Sequence, residues 1–216
     1  MVQNDNNMMM NIFDFKPDIV ILGGGNYPTH SIPLSILNNA KRVQCCDGAA
    51  NEFINRGKTP WRIIGDGDSI SSEIKSQLHD IIRIFPDQET NDQTKNIIYA
   101  KNHGFNNIAI VGATGKREDH TIGNISLLLE YQKLELNVRI FTDCGMFMAC
   151  KDKIQFNVNI GSQISIFNYD AKDLTANGLK YPIRSFTAAW QGTLNEATEN
   201  NVTIYAKGIY IVFINY

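Results

Sequence analysis

Four aspartates sit in short polar stretches that each follow an apolar run. They are Asp47 in Asp47-Gly48-Ala49-Ala50-Asn51, Asp66 and Asp68 in Gly65-Asp66-Gly67-Asp68-Ser69, and Asp92 shortly after Pro86-Asp87-Gln88. Carboxylates gathered in one place repel one another unless a cation sits among them. Hard oxygen donors of this kind suit Mg²⁺, which also bridges polyphosphate oxygens. A single Asp in such a stretch is an ordinary turn former or helix cap. The argument for a metal therefore rests on the set, with glycines beside the acids that allow a ligand close approach. Lys95 lies three residues after Asp92, on the same helical face and near the positive N-terminal end. Gly112-Ala113-Thr114-Gly115 is followed by Arg117, Asp119 and His120. The planar fork of Arg117 matches phosphate oxygens, and His120 and Asn124 share a helical face. Each of these also has a plainer role: an exposed ion pair, a loop charge, a structural histidine. Gly23-Gly24-Gly25 directly after an apolar run can offer backbone N–H groups to phosphate.

The elements that must position these residues follow from periodicity. Short runs rich in β-branched residues at 18–22, 42–46, 61–64, 81–85, 107–111 and 138–141 read as buried parallel strands. Between them, 92–103 reads as a helix with Ile97, Ile98 and Ala100 inside and Gly104 just past its end. The stretch 120–134 reads as one helix with Asp119 as its N-cap. This βαβ rhythm predicts an open, mainly parallel, Rossmann-like sheet covered on both faces. All the polar clusters then lie along one rim, at the carboxyl ends of the strands, where ligands bind in such sheets. After about residue 147 the pattern changes to alternation at 162–167 and further strands at 202–205 and 209–214, with no convincing helix. That is the signature of a small antiparallel β-sandwich. The expected organisation is a loose leader over 1–16, an α/β domain over 17–146 and a β domain over 147–216.

Composition narrows the function classes. With 43% hydrophobic residues the chain can bury a sizeable core, and a net charge of −2 gives no electrostatic footprint for nucleic acid or an anionic membrane. The four cysteines form no CxxC pair with a second half-site, so a structural zinc is not indicated. No signal peptide and no apolar run of spanning length is visible, and the expectation is a cytoplasmic protein with reduced cysteines. The glycine stretches match neither GxGxxG nor GxxxxGK[ST], which disfavours a hydride-transfer enzyme and a P-loop kinase.

Four motifs in order carry a family resemblance: 47–51, 65–69, Asp87-Gln88 through Asp92 to Lys95, and 112–120, continued by Asn124. Together with Gly178-Leu179-Lys180-Tyr181 and Gly192-Thr193-Leu194-Asn195-Glu196, the chain from about residue 18 onward resembles the thiamine pyrophosphokinase family. The resemblance implies transfer of pyrophosphate from ATP to the hydroxyl of thiamine, and a homodimer with active sites between subunits. It also implies residue roles. Asp66, Asp68 and Asp92 would hold Mg²⁺, and Asp47 would lie near the metal and the reacting hydroxyl. Lys95 would assist catalysis. Gln88, Asn51 and, from the partner subunit, Asn195 would bind thiamine. Ser69, Thr114, Gly115, Arg117, Asp119 and His120 would shape the ATP site. Three positions depart from the family pattern: Asn91 stands where Thr is usual, Lys116 where Gly is frequent, and Leu194 where Ser is common. The lost Ser hydroxyl removes one potential hydrogen bond to substrate, worth about 0.5–1.5 kcal/mol net. The alternatives are a pyrophosphokinase of the same fold with another acceptor alcohol, a metal-dependent nucleotide-sugar transferase built on Asp66-Gly67-Asp68, and a nucleotide sensor without turnover.

Overall fold

The computed structural model describes residues 10–11 and 14–216. Most of the expected loose leader, 1–16, thus lies outside the described residues; within it, strand β1 (Met10–Asn11) pairs in parallel with Phe156 and Asn157. The chain divides into two compact units, Pro17–Ala149 and the residues from Cys150 onward together with the N-terminal segment. The compositional change at 146/147 falls inside a strand, β8 (Gly145–Lys151), because the apolar run that begins at Met146 continues to Cys150.

In the first unit, six strands run parallel: β2 (Ile19–Leu22), β3 (Val43–Cys46), β4 (Arg62–Gly65), β5 (Ile82–Ile84), β6 (Asn107–Val111) and β7 (Asn137–Phe141). β8 pairs antiparallel with β7, and the order is β8-β7-β6-β2-β3-β4-β5. All residues of β2 and β3 are buried, which is why these strands read as continuous rather than alternating apolar runs. Six helices connect the strands: α1 (Ser31–Asn38), α2 (Ala49–Asn55), α3 (Ser72–Gln77), α4 (Asp92–Asn102), α5 (Glu118–Ser126) and α6 (Leu128–Lys133). Because β2 lies between β3 and β6, the strand order reverses there and opens a crevice at the carboxyl ends.

Two local readings of the sequence need correction. The stretch 120–134 is two helices, broken at Leu127. Ser126 Oγ donates to the Ile122 carbonyl at 2.8 Å, a back-bond that bends helices. The first of the two begins at Glu118, so Asp119 lies inside it and Arg117 holds the N-cap position. In addition, Ile98 is exposed rather than core. Helix α4 begins as expected, with Asn91 as N-cap accepting from the Thr94 N–H at 2.9 Å.

The second unit holds β9 (Ile154–Asn157), β10 (Gln163–Asn168), β11 (Lys172–Asn177), β12 (Asn195–Glu196), β13 (Asn201–Lys207) and β14 (Ile209–Asn215). One sheet has the order β1-β9-β13-β11, and β12, β10 and β14 neighbour one another antiparallel in the other. The chain changes sheet between β13 and β14 at Gly208, whose φ of +118° few side chains tolerate. Ile164 and Ile166 alternate into the core, and Tyr210 through Val212 are fully buried. The architecture is therefore the expected α/β fold, a large mostly parallel sheet with a separate antiparallel sheet. Among the described residues no helix is long and apolar enough to cross a membrane.

Candidate active site

A crevice of about 1320 Å³ opens at the carboxyl ends of β2, β3 and β4, entirely within the first unit. Its floor carries Asp47, at the turn between β3 and α2. Asp47 adopts a φ of +32°, is 4% exposed, and its Oδ2 accepts the Ser69 N–H at 2.8 Å. Its Oδ1 is buried and has no hydrogen-bond partner among the described residues. A buried carboxylate oxygen left open in this way is completed by something the crevice receives, a cation or a donor group. The glycine at 65 is needed here, since a Cβ there would stand 2.6 Å from the Asp47 Cβ.

Asp66 and Asp92 face the same crevice. Asp66 is held below the usual carboxylate range, first by the Asp68 N–H at 3.1 Å and then by the Gln88 amide at 3.4 Å. Asp92 is pushed above that range by burial and by repulsion from Asp47 and Asp66, although Lys95 pulls the other way. Lys95 is buried, and its Nζ lies 3.4 Å from Asp92 Oδ1. An acid destabilised by neighbouring acids and a buried oxygen with no donor form a hard, anionic donor set that suits Mg²⁺. Asp68 is different. Gly67 sits at φ +86°, and Asp68 lines an adjoining hollow with Lys75, His79 and Ile84, a hollow that Asp66 borders as well. Among the described residues no three His, Cys, Asp or Glu side chains form a ready-made metal cage. Of the expected triad, Asp66 and Asp92 line the crevice beside Asp47, and Asp68 lies in the hollow that adjoins it at Asp66.

One buried amide ties these acids together. Asn96 is fully buried, and its Nδ2 donates to the Ile64 carbonyl at 3.1 Å, the Asp92 carbonyl at 2.8 Å and Cys46 Sγ at 3.3 Å. Those three acceptors lie two residues before Asp66, within Asp92 and next to Asp47. Gln44 in turn donates to Asn96 O and Oδ1. Asn96 thus pins the first turn of α4 to the ends of β3 and β4. Asn124 does similar work at α5, donating to the Ala113 carbonyl at 2.8 Å while its backbone carbonyl accepts from Gln93 at 3.1 Å.

The remaining sequence-predicted residues divide. Gln88, Ser69, Asn51 and His120 line the crevice. Asn51, however, has its amide engaged, donating to the Ser69 carbonyl at 2.7 Å and accepting from the Ser71 N–H at 3.1 Å. Thr114, Gly115, Arg117 and Asp119 are not among the lining residues. The Arg117 fork is closed on Asp119, with contacts of 3.1 and 2.6 Å, and the Thr114 carbonyl accepts the Asn26 N–H. In the second unit, Asn195 is buried and faces its own chain: Oδ1 accepts from Tyr181 and Glu196, and Nδ2 donates to the Tyr181 carbonyl. Tyr181, Trp190 and Leu194 are exposed, Leu194 at φ +62°. Sequence reasoning missed Tyr27, Glu52, Asn55 and Arg56, which line the crevice at the far end of α2. Their only signal was Glu52 four residues before Arg56, the spacing of an ordinary surface ion pair.

An open parallel sheet with an acidic, glycine-edged crevice at its switch point defines the class: an α/β protein that handles phosphorylated ligands on its strand rim. Comparison with known proteins narrows this. Residues 34–142 match the family described as thiamin pyrophosphokinase, catalytic domain, and 145–213 match thiamin pyrophosphokinase, substrate-binding domain. The thiamine pyrophosphokinase of Bacillus subtilis is 30% identical over 175 residues, covering 74% of this chain and 80% of that protein. Thiamin pyrophosphokinase 1 of Caenorhabditis elegans is 24% identical over 198 residues, covering 83% and 81%. The crystal structure of the Bacillus subtilis protein superposes with a TM-score of 0.77 over 91% of this chain and 98% of that one. That of thiamin pyrophosphokinase from Candida albicans gives 0.72 over 92% and 89%. The chain belongs to the thiamin pyrophosphokinase family and is an enzyme of that family, a transferase of thiamine diphosphate formation.

Proposed function

We propose that the protein transfers the pyrophosphoryl group of ATP to the hydroxyl of thiamine, giving thiamine diphosphate and AMP. The observation that carries this reading is the buried, unpartnered Asp47 Oδ1 on a crevice floor shared with Asp66 and Asp92. The new bond forms between the thiamine oxygen and the β-phosphorus. The bond from that phosphorus to the bridging oxygen of AMP breaks, and AMP leaves with its electrons. Reactions of this type need alignment and charge neutralisation more than covalent help. Asp47 Oδ1 accepts the hydroxyl proton, its carboxylate held in place by the Ser69 N–H. Asp66, Asp68 and Asp92 would hold Mg²⁺, with Asp66 standing between the other two. When bound, Mg²⁺ neutralises phosphate oxygens and stabilises the charge that develops on them. Lys116, on the crevice wall, contacts the phosphate chain, and Lys95 keeps Asp92 aimed at the crevice. Gln88 binds the acceptor.

The test is AMP release from ATP and Mg²⁺ with and without thiamine, the product identified by mass. One thiamine diphosphate per AMP is the expected outcome; AMP release independent of thiamine would end this reading. Leu194 and the inward-facing Asn195 favour one second reading, an acceptor alcohol other than thiamine on the same crevice. A panel of acceptor alcohols would separate the two. The family resemblance also supports a homodimer, which sedimentation would test. The free, buried thiols of Cys45 and Cys46 support a reducing, cytoplasmic setting.

A further inference from the structure

The end of the crevice away from the aspartates is not used by the transfer proposed above. Helix α2 starts two residues after Asp47 and, at about 1.5 Å per residue, carries the wall roughly 10 Å along to its C-cap, Arg56. There the Arg56 guanidinium lies over the Tyr27 ring, 3.9 Å from its centroid, while Nε and one terminal nitrogen bond Glu52 Oε1 at 3.2 and 2.8 Å. The Arg56 side chain nonetheless remains 51% exposed, and Tyr27, Glu52 and Arg56 all line the crevice. One face is thus covered by an aromatic ring and one edge by a carboxylate, which leaves a fixed plane with an open side.

We infer that this pair is a stacking subsite for the purine base of the nucleotide, an inference that rests on the ATP-dependent transfer proposed above. A guanidinium stacks on aromatic faces as well as pairing with anions. Here Glu52 already offsets its charge, which disfavours a phosphate at this place and leaves the plane as the recognition element. A cationic thiazolium ring gains nothing from an arginine. Asn55, the last residue of α2 and also on the crevice wall, is exposed and its amide makes no hydrogen bond among the described residues. Amides of this kind read the adenine edge through one donor and one acceptor. Because the arginine is pinned on two sides before any ligand arrives, little ordering is left to do on binding.

The test is calorimetric titration of the full-length protein in Mg²⁺ with ADP, inorganic tripolyphosphate and thiamine. Arg56→Ala and Arg56→Lys should each bind ADP about tenfold more weakly, with tripolyphosphate unchanged. Asn55→Ala should narrow the preference for ADP over GDP. Equal losses for ADP and tripolyphosphate would make Arg56 a phosphate ligand or a scaffold contact and overturn the subsite. So would unchanged ADP affinity in either arginine variant, or a loss confined to thiamine. A wild-type protein that binds no ADP would sink the nucleotide reading itself. A wild type that binds ADP but is indifferent to Arg56 would sink the subsite alone. Both arginine variants remove an exposed side chain, and matching thermal unfolding with wild type checks that each is folded.

Discussion

At the scale of single residues, the acids separate by what their surroundings do to them. Asp66 is half-buried, and its carboxylate accepts from the Asp68 N–H and the Gln88 amide. Asp66→Asn should therefore leave the unfolding midpoint near wild type while turnover falls about 10²–10³-fold, as expected where a charge-stabilising group is lost. Steady-state rates beside a thermal melt check this. Asp47 gives a sharper distinction. If it is the proton acceptor, Asp47→Asn abolishes turnover yet keeps the stabilisation that Mg²⁺ gives the folded protein. If that stabilisation disappears as well, Asp47 is a metal ligand. The motif residues around these acids were legible because glycine and aspartate crowd after strands only where a turn or a ligand needs them. What Arg117, Asp119 and Asn195 do was not legible. Whether a polar side chain faces a ligand or its own neighbours depends on partners that spacing does not reveal, and here all three bond within their own chain.

Elements hold their positions through a few buried or capping groups. Asn96→Leu removes an amide whose two N–H groups are shared among three acceptors and takes one acceptor from the buried Gln44 amide, which should lower stability by about 1–3 kcal/mol. Because it also frees the first turn of α4, the Mg²⁺ response should weaken; urea unfolding with and without the ion measures both. A second tie joins the loop after β2 to the turn after β7. Asp143 accepts from the Thr29 and His30 N–H groups, each at 2.9 Å, and from the Thr29 hydroxyl at 2.5 Å. Burial alone would push its carboxyl up, but these hydrogen bonds together outweigh it and hold it below the usual range. A depressed folded pKa means the stabilisation is present above the unfolded value of about 3.9 and is lost as pH falls through the folded one. Asp143→Ala should therefore lower the unfolding midpoint by about 2–4 °C at neutral pH, a gap that closes in acid. The strand positions were readable because buried parallel strands are short unbroken apolar runs. The break at Leu127 was not, since it depends on a Ser126 hydroxyl turning back onto its own helix.

For the molecule as a whole, cation binding and thiol access are the two global readouts. An ion that relieves repulsion among Asp47, Asp66 and Asp92 binds the folded state and not the unfolded one. At a hundredfold excess over its dissociation constant it adds about 2.7 kcal/mol of stability. Thermal melts in Mg²⁺ and in chelator should differ accordingly, and Asp92→Asn should shrink the difference. Cys45, Cys46 and Cys150 are buried and Cys144 is exposed, and burial pushes the Cys45 and Cys46 thiols well up. A thiol reagent should label Cys144 quickly in the native protein and the other three only after unfolding.

The loops after β2 and β6 approach closely at their glycines: a Cβ on Gly25 would stand 2.3 Å from the Thr114 carbonyl oxygen, and one on Gly23 2.7 Å from that of Gly112. In a saturation mutagenesis map these glycines would be as intolerant as the catalytic acids, although they carry no chemistry. Abundance and activity would fall together at Gly23 and Gly25, whereas at Asp66 activity would fall and abundance would hold. Paired measurements of the two would sort the rim of this sheet into positions that give it shape and positions that react.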